Sequence, residues 1–211
     1  MSNPTPDPTP NLVRAKLYEG LHVMEAVARD NALHATLVAA AEATADALLS
    51  GRKLMAAGNG GSAADAQHLV AEFVSRLVHD RPAMRAVALT TDTSILTAVA
   101  NDYGFERLFA RQIEALGQPG DVFLAISTSG NSPNILAALE AARTLNLTTF
   151  GLTGAGGGKM AALCDHLIAI PSTVTMNIQE SHLALEHIFC MLVERFAFGH
   201  DLDTKHQILS E

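Results

Sequence analysis

The 211-residue chain predicts an α/β fold, a five-stranded parallel sheet covered by helices on both faces, preceded by an N-terminal helical segment. Three observations predict it. Short apolar runs alternate with helical stretches along most of the sequence. The runs are continuously apolar, as in strands buried on both sides. Hydrophobic residues make up 48% and charged residues 17%, enough apolar material for a large core.

Each element has a local reason. "MSNPTPDPTP" is rich in proline, and residues 1–10 are expected to form a disordered tail. It lacks the basic start and apolar core of a signal peptide. Residues 11–30 place Leu12, Leu17, Leu21 and Met24 at helical spacing. Residues 31–51 are alanine-rich, with Asn31 as the expected N-cap and Gly51 as the stop. Strands are then expected at "KLMAAG" (53–58), "MRAVALT" (84–90), "DVFLAIS" (121–127), "TTFGLTG" (148–154) and "HLIAIP" (166–171). Helices are expected between them, over 62–78, 93–102, 105–116 and 132–146, with a short one near 158–164. A long last helix covers 176–198. No internal linker interrupts the pattern, so residues 11–198 read as one domain and 199–211 as a polar C-terminal tail.

Charge and composition exclude some functions. A net charge of -8 argues against a nucleic-acid surface, which needs a basic patch. No apolar run reaches the length of a membrane span. The two cysteines, Cys164 and Cys190, form no CxxC pair and read as small buried apolar residues, which fits a reducing cytoplasm. The chain is expected to be soluble and cytoplasmic.

Two loops after strands carry the chemistry. "GNGGSAADAQH" (58–68) sets glycines between a strand and a helix, where backbone N–H groups and the helix dipole can receive an anion. It matches neither GxxxxGK[ST] nor GxGxxG, and a plain tight turn explains it as well. "STSGNS" (127–132) puts four hydroxyls around one glycine at a helix start, more than capping needs. Hydroxyls and helix N–H groups together make a neutral cradle for a phosphate.

Two helices carry titratable pairs. His68 and Glu72 share a helix face, as a metal-binding pair or an ordinary surface pair. On the last helix Gln179, Leu183 and His187 form one row, while His182 and Glu186 form a competing pair. Spacing alone leaves both faces open, and a solvated face explains either. Arg76 either faces the site or pairs with Glu72.

"GNGGSAADAQH" and "ISTSGNS", with "TDTSILTAVANDYGFE", "GLTGAGGGKMA" and "IQESHLALEH", resemble the sugar isomerase (SIS) domain family and, within it, the phosphoheptose isomerases. The resemblance covers roughly residues 12–198. It implies a flavodoxin-like sheet and a homotetramer with active sites near subunit contacts. It implies conversion of sedoheptulose 7-phosphate to D-glycero-D-manno-heptose 7-phosphate, the first step toward the heptose of lipopolysaccharide or other glycans. It assigns one Zn²⁺ per site to His68, Glu72, Gln179 and His187. It assigns substrate binding to Asn59, Gly60, Gly61, Asn101, Asp102, Ser127, Thr128, Ser129, Ser132 and Gln179. Glu72 and His187 become the acid–base pair, and His182 and Glu186 become residues behind the site or in solvent. A non-catalytic relative that binds the replication initiator DnaA, or a sugar-phosphate sensor, is the rival expectation. The presence of both Glu72 and His187 favours the enzyme.

Overall fold

The computed structural model describes residues 9–199; most of the tails expected at 1–10 and 199–211 lies outside the described residues. Helix α1 spans Thr9–Arg29, two residues earlier than expected. Helix α2 spans Asn31–Leu49, and its N-cap is Asp30 rather than Asn31. The Asp30 carboxylate accepts from the amides of Ala32 and Leu33 at 3.0 and 2.9 Å, which satisfies two of the free donors of the first turn.

Five strands follow: β1 (Leu54–Gly58), β2 (Ala86–Ala88), β3 (Val122–Ser127), β4 (Thr148–Thr153) and β5 (His166–Ala169). They are linked through α3 (Gly61–Val74), α4 (Thr93–Tyr103), α5 (Leu108–Leu116) and α6 (Pro133–Thr144), and α7 (Thr175–Phe198) closes the fold. The sheet is parallel throughout, in the order β2-β1-β3-β4-β5. That is the flavodoxin-like order. β2 is shorter than expected because this edge strand pairs with β1 at only three positions, Ala86 to Ala88. α3 stops at Val74, one turn before the expected end, where Ser75 leaves helical geometry.

Alternate strand residues feed opposite cores. Leu54, Ala56, Leu124, Ile126 and Phe150 pack with Leu37, Phe73 and Phe189 of α2, α3 and α7. Met55, Ala57, Phe123 and Ala125 pack with Phe109, Ile113, Ile135 and Leu139 of α5 and α6. These are the three layers. α2 is long and apolar enough by composition to cross a membrane, contrary to the expectation that no run would be. Its Leu33, Leu37, Ala40, Ala41 and Ala45 are instead in the core, so it reads as a core helix.

The strand order positions the site. β1 connects outward to β2, and the chain then returns to the other side of β1 to form β3. The loops leaving β1 and β3 therefore diverge and open a crevice at their carboxyl ends, where ligands bind in such sheets.

Candidate active site

The two loops expected to hold a phosphate flank this crevice. Gly60 has φ +57°, a backbone conformation that favours glycine, and so turns the chain from β1 into α3. At Gly61 a Cβ would collide with the side-chain amide of Gln179, so glycine lets that amide lie against the loop. Asn59 and Asn134, on the two sides of the crevice, exchange a reciprocal pair of side-chain hydrogen bonds.

The serine loop is shaped from within. Gly130 has φ +63° and lies against the backbone of Gly157, with no room for a side chain. Ser132 is the N-cap of α6, yet its hydroxyl makes no cap bond. It meets Ser127 Oγ at 2.9 Å instead. Asn59, Gly61, Ser62, Ile126, Ser127, Thr128, Ser132, Thr175 and Gln179 line a cavity of about 250 Å³. Gly60 lines an adjoining cavity of about 380 Å³, mostly apolar, with Leu96, Phe105 and Phe109. Ser129 is exposed; its Oγ accepts the Asn131 N–H at 3.1 Å. Asn101 and Asp102 line neither cavity. They are exposed on α4 and bond to each other at 2.7 Å.

The titratable residues converge between α3 and α7. His68 Nε2 and His187 Nε2 are 2.9 Å apart, and Glu72 Oε1 is 3.7 Å from His68 Nε2. The ligand atoms of all three lie within 4.8 Å of one another. Two imidazole nitrogens and a carboxylate oxygen converging this closely suit Zn²⁺ in donor type and spacing. Gln179 stands two turns before His187 on the same row and reaches Gly61 and the hydroxyl cavity. His68 and Glu72 thus stand against His187 of α7 rather than as an isolated pair on α3. Arg76, beyond the end of α3, pairs with Asp80 at 3.7 Å on the exposed surface.

The other face of α7 is not solvated. His182 is 0% and Glu186 2% exposed, which corrects the solvent reading of this pair. α7 packs one side against α3 and the sheet, so the row behind His187 points into the protein. His182 Nε2 donates to the Thr153 carbonyl at 3.1 Å. Burial pushes the His182 ring down to about 4, against that hydrogen bond. Burial, then the charge of Asp65, pushes the Glu186 carboxyl up to about 8. Burial also raises Asp65, opposed by His68. With its carboxyl at about 8, Glu186 is mostly protonated at pH 7.

Comparison with known proteins agrees with this fold. Residues 20–154 match the SIS domain family model. A phosphoheptose isomerase of Burkholderia pseudomallei is 55% identical over 181 residues, covering 86% of this chain and 92% of that one. The chain belongs to the phosphoheptose isomerase family. The solved structure of a phosphoheptose isomerase from Neisseria gonorrhoeae shares 42% identity and a TM-score of 0.83, covering 88% of this chain and 98% of that one. One from Francisella tularensis shares 35% identity and a TM-score of 0.85, covering 89% of this chain and 98% of that one.

Several residues of this phosphoheptose isomerase family member escaped sequence reasoning. Asn134 sits one residue after a proline in an ordinary helix start. Ser62 and Thr175 are single hydroxyls at helix starts. Arg81 and Glu194, a buried ion pair at 2.9 Å, lie far apart in sequence. The reciprocal amide pair and the buried ion pair exist only once the strands are ordered. The one available signal was "GNGGS" itself, because so permissive a loop invites a partner.

Proposed function

We propose that this family member interconverts sedoheptulose 7-phosphate and D-glycero-D-manno-heptose 7-phosphate, with Glu72 and His187 as its acid–base pair. The observation that carries it is the convergence of His68, Glu72 and His187 on α3 and α7, the two helices whose first turns line the hydroxyl-bearing crevice. The phosphate is assigned to the crevice, where Ser127, Thr128 and Ser132 offer hydroxyls and the Asn59–Gly61 loop offers backbone N–H groups. Ser129 at the rim, and Asn101 and Asp102 for the sugar hydroxyls, are assigned by family resemblance.

The chemistry follows from the groups. The Glu72 carboxylate takes a proton from C1 of the ketose, and His187 gives a proton to the C2 carbonyl oxygen, leaving a cis-enediol. The proton on Glu72 then returns to C2, and the C1 hydroxyl gives its proton back to His187, leaving the aldehyde. No atom is gained or lost. Each acid–base contribution is worth about 10²–10⁴-fold. His68, Glu72, Gln179 and His187 would hold one Zn²⁺, which when bound supplies Lewis-acid polarisation of the carbonyl. Glu72 and His187 each have two duties here, ligand and acid–base group, and neither performs both at the same moment.

His68 is exposed at the mouth of the site. Leu12, Leu17 and Leu21 on α1 are 58%, 71% and 50% exposed, an apolar face that suits burial against other copies in a homotetramer. Free Cys164 and Cys190 suit a reducing, cytoplasmic setting. The DnaA-associating and sensor readings are not favoured, because both acid–base residues stand in place and the family relatives are isomerases. Incubating the purified protein with sedoheptulose 7-phosphate and following the aldose product tests the reading. Absence of aldose at saturating substrate and zinc would refute it.

A further inference from the structure

We infer that Arg81 is a positioning residue, which holds the base Glu72 on α3 at a fixed distance from His187 on α7. The inference rests on the acid–base reading above. Its evidence is a set of hydrogen bonds remote from the cavity.

The Arg81 side chain is 1% exposed. An arginine offers five N–H donors in a rigid fork. Nη2 donates to the Glu72 carbonyl at 2.6 Å. Nη1 donates to the Phe73 carbonyl at 2.8 Å and, at longer range, to those of Ser75 and Pro82. These first two carbonyls belong to the last turn of α3, where the helix leaves its acceptors unpaired. A cation at that end also suits the helix dipole. Nε turns the other way and donates to Glu194 Oε1 at 2.9 Å.

Glu194 is 1% exposed on α7 and also accepts the Leu77 N–H at 3.3 Å. It lies seven residues after His187, two turns on and nearly in line with it. One guanidinium therefore grips the peptide carbonyl of the base and the helix of its partner acid. His68, one turn before Glu72, is carried with it. The reactive cluster lies between helices that share few other polar ties among the described residues. The ion pair is buried, so removing either partner would leave a stranded charge.

Lysine is the discriminating substitution. It keeps the charge, but its single ammonium cannot bridge two carbonyls and a carboxylate in this fork geometry. Arg81→Lys and Glu194→Gln are compared in the full-length protein, with the folded fraction measured for each. Two quantities are read per folded molecule: kcat and KM for sedoheptulose 7-phosphate, and affinity for zinc alone by competition with a chelating indicator. The expected result for Arg81→Lys is a fall in kcat of about tenfold or more, KM within about twofold, and zinc affinity weaker by about tenfold, in line with loss of an outer-shell support. In a Glu72→Gln background the same change should lower kcat less than about twofold, because it acts through Glu72. Equal losses in both backgrounds, or a loss of thermal stability with kcat and zinc affinity intact, would overturn the inference. Should Arg81→Lys not fold, Glu194→Gln carries the same test, since it keeps the side-chain shape and the Arg81 bonds to α3 while removing the carboxylate charge on α7. An inactive wild type would refute the isomerase reading and leave the zinc measurement to decide the positioning.

Discussion

Asn59 and Asn134 face each other across the crevice and exchange two hydrogen bonds, Asn59 Nδ2 to Asn134 Oδ1 at 2.9 Å and Asn134 Nδ2 to Asn59 Oδ1 at 2.8 Å. The pair joins the loop after β1 to the first turn of α6. Two loops that diverge from the sheet are thus held at one width, which sets the span of the crevice. The pair takes one N–H and the carbonyl oxygen of each amide, leaving each a second N–H.

Asn134→Ala removes one partner and leaves the other amide part-buried and unpaired. The cost to stability is expected to be about 1–3 kcal/mol. KM for the sugar phosphate should rise more than kcat falls, because the reacting groups lie on α3 and α7. Steady-state kinetics beside a denaturant titration checks both. An unchanged KM would separate the loop pair from phosphate binding.

Ser132→Asp places a carboxylate where the phosphate is assigned. Aspartate is as good an N-cap as serine, so α6 should survive the change. Affinity for sedoheptulose 7-phosphate should fall by at least about tenfold through like-charge repulsion. Calorimetric titration checks it, and undiminished affinity would move the phosphate elsewhere.

Glu72→Gln and His187→Gln should each lower turnover by at least about a hundredfold while sugar phosphate still binds. The double variant should lose far less than the product of the two, as expected for groups acting on one transition state. His182→Gln should lower stability and leave kcat per folded molecule near the wild-type value, because that ring points to the Thr153 carbonyl. Loss of turnover in His182→Gln with retention in His187→Gln would place the chemistry on the wrong row of α7.

Metal content is the fourth test. Purified protein should hold one divalent ion per chain, and elemental analysis with anomalous diffraction should locate it between His68 and His187. Chelation should reduce turnover and zinc should restore it. Full activity in metal-free protein would leave the ion without a catalytic part.

The buried pair on α7 predicts two opposed pH dependences. The His182 ring falls from its ordinary 6.5 to about 4, so between those values the unfolded chain binds more protons and stability rises with pH. It is lost as pH drops through that window. The Glu186 carboxyl rises from 4.5 to about 8, so between those values the folded chain binds more protons and stability falls as pH rises. Thermal melts of wild type and His182→Gln from pH 4 to 6.5 should converge toward the acid end. Melts of wild type and Glu186→Gln should diverge in the variant's favour as pH climbs toward 8. Parallel curves would show that neither group is linked to folding.

The sequence by itself determined the order of strands and helices, because burial on both faces writes continuous apolar runs and burial on one face writes a helical period. It also determined the two loops, since glycine and hydroxyl clusters between a strand and a helix are conspicuous without any fold. Helix ends were less legible. Asp30 and Asn31 are both good caps, and only backbone geometry selects one. Where α3 stops depends on Arg81, seven residues past Val74 in sequence. Which row of α7 faces the site was undecidable from spacing, because His182–Glu186 and Gln179–His187 fit a helix equally well. Packing against α2, α3 and the sheet buried His182 and Glu186, and left Gln179 at the crevice and His187 facing His68. The contacts that set distances, Asn59 with Asn134 and Arg81 with Glu194, join segments 75 and 113 residues apart. Hydrogen bonds of that kind leave no period in a sequence, because they depend on the parallel order of the sheet bringing remote loops and helices side by side.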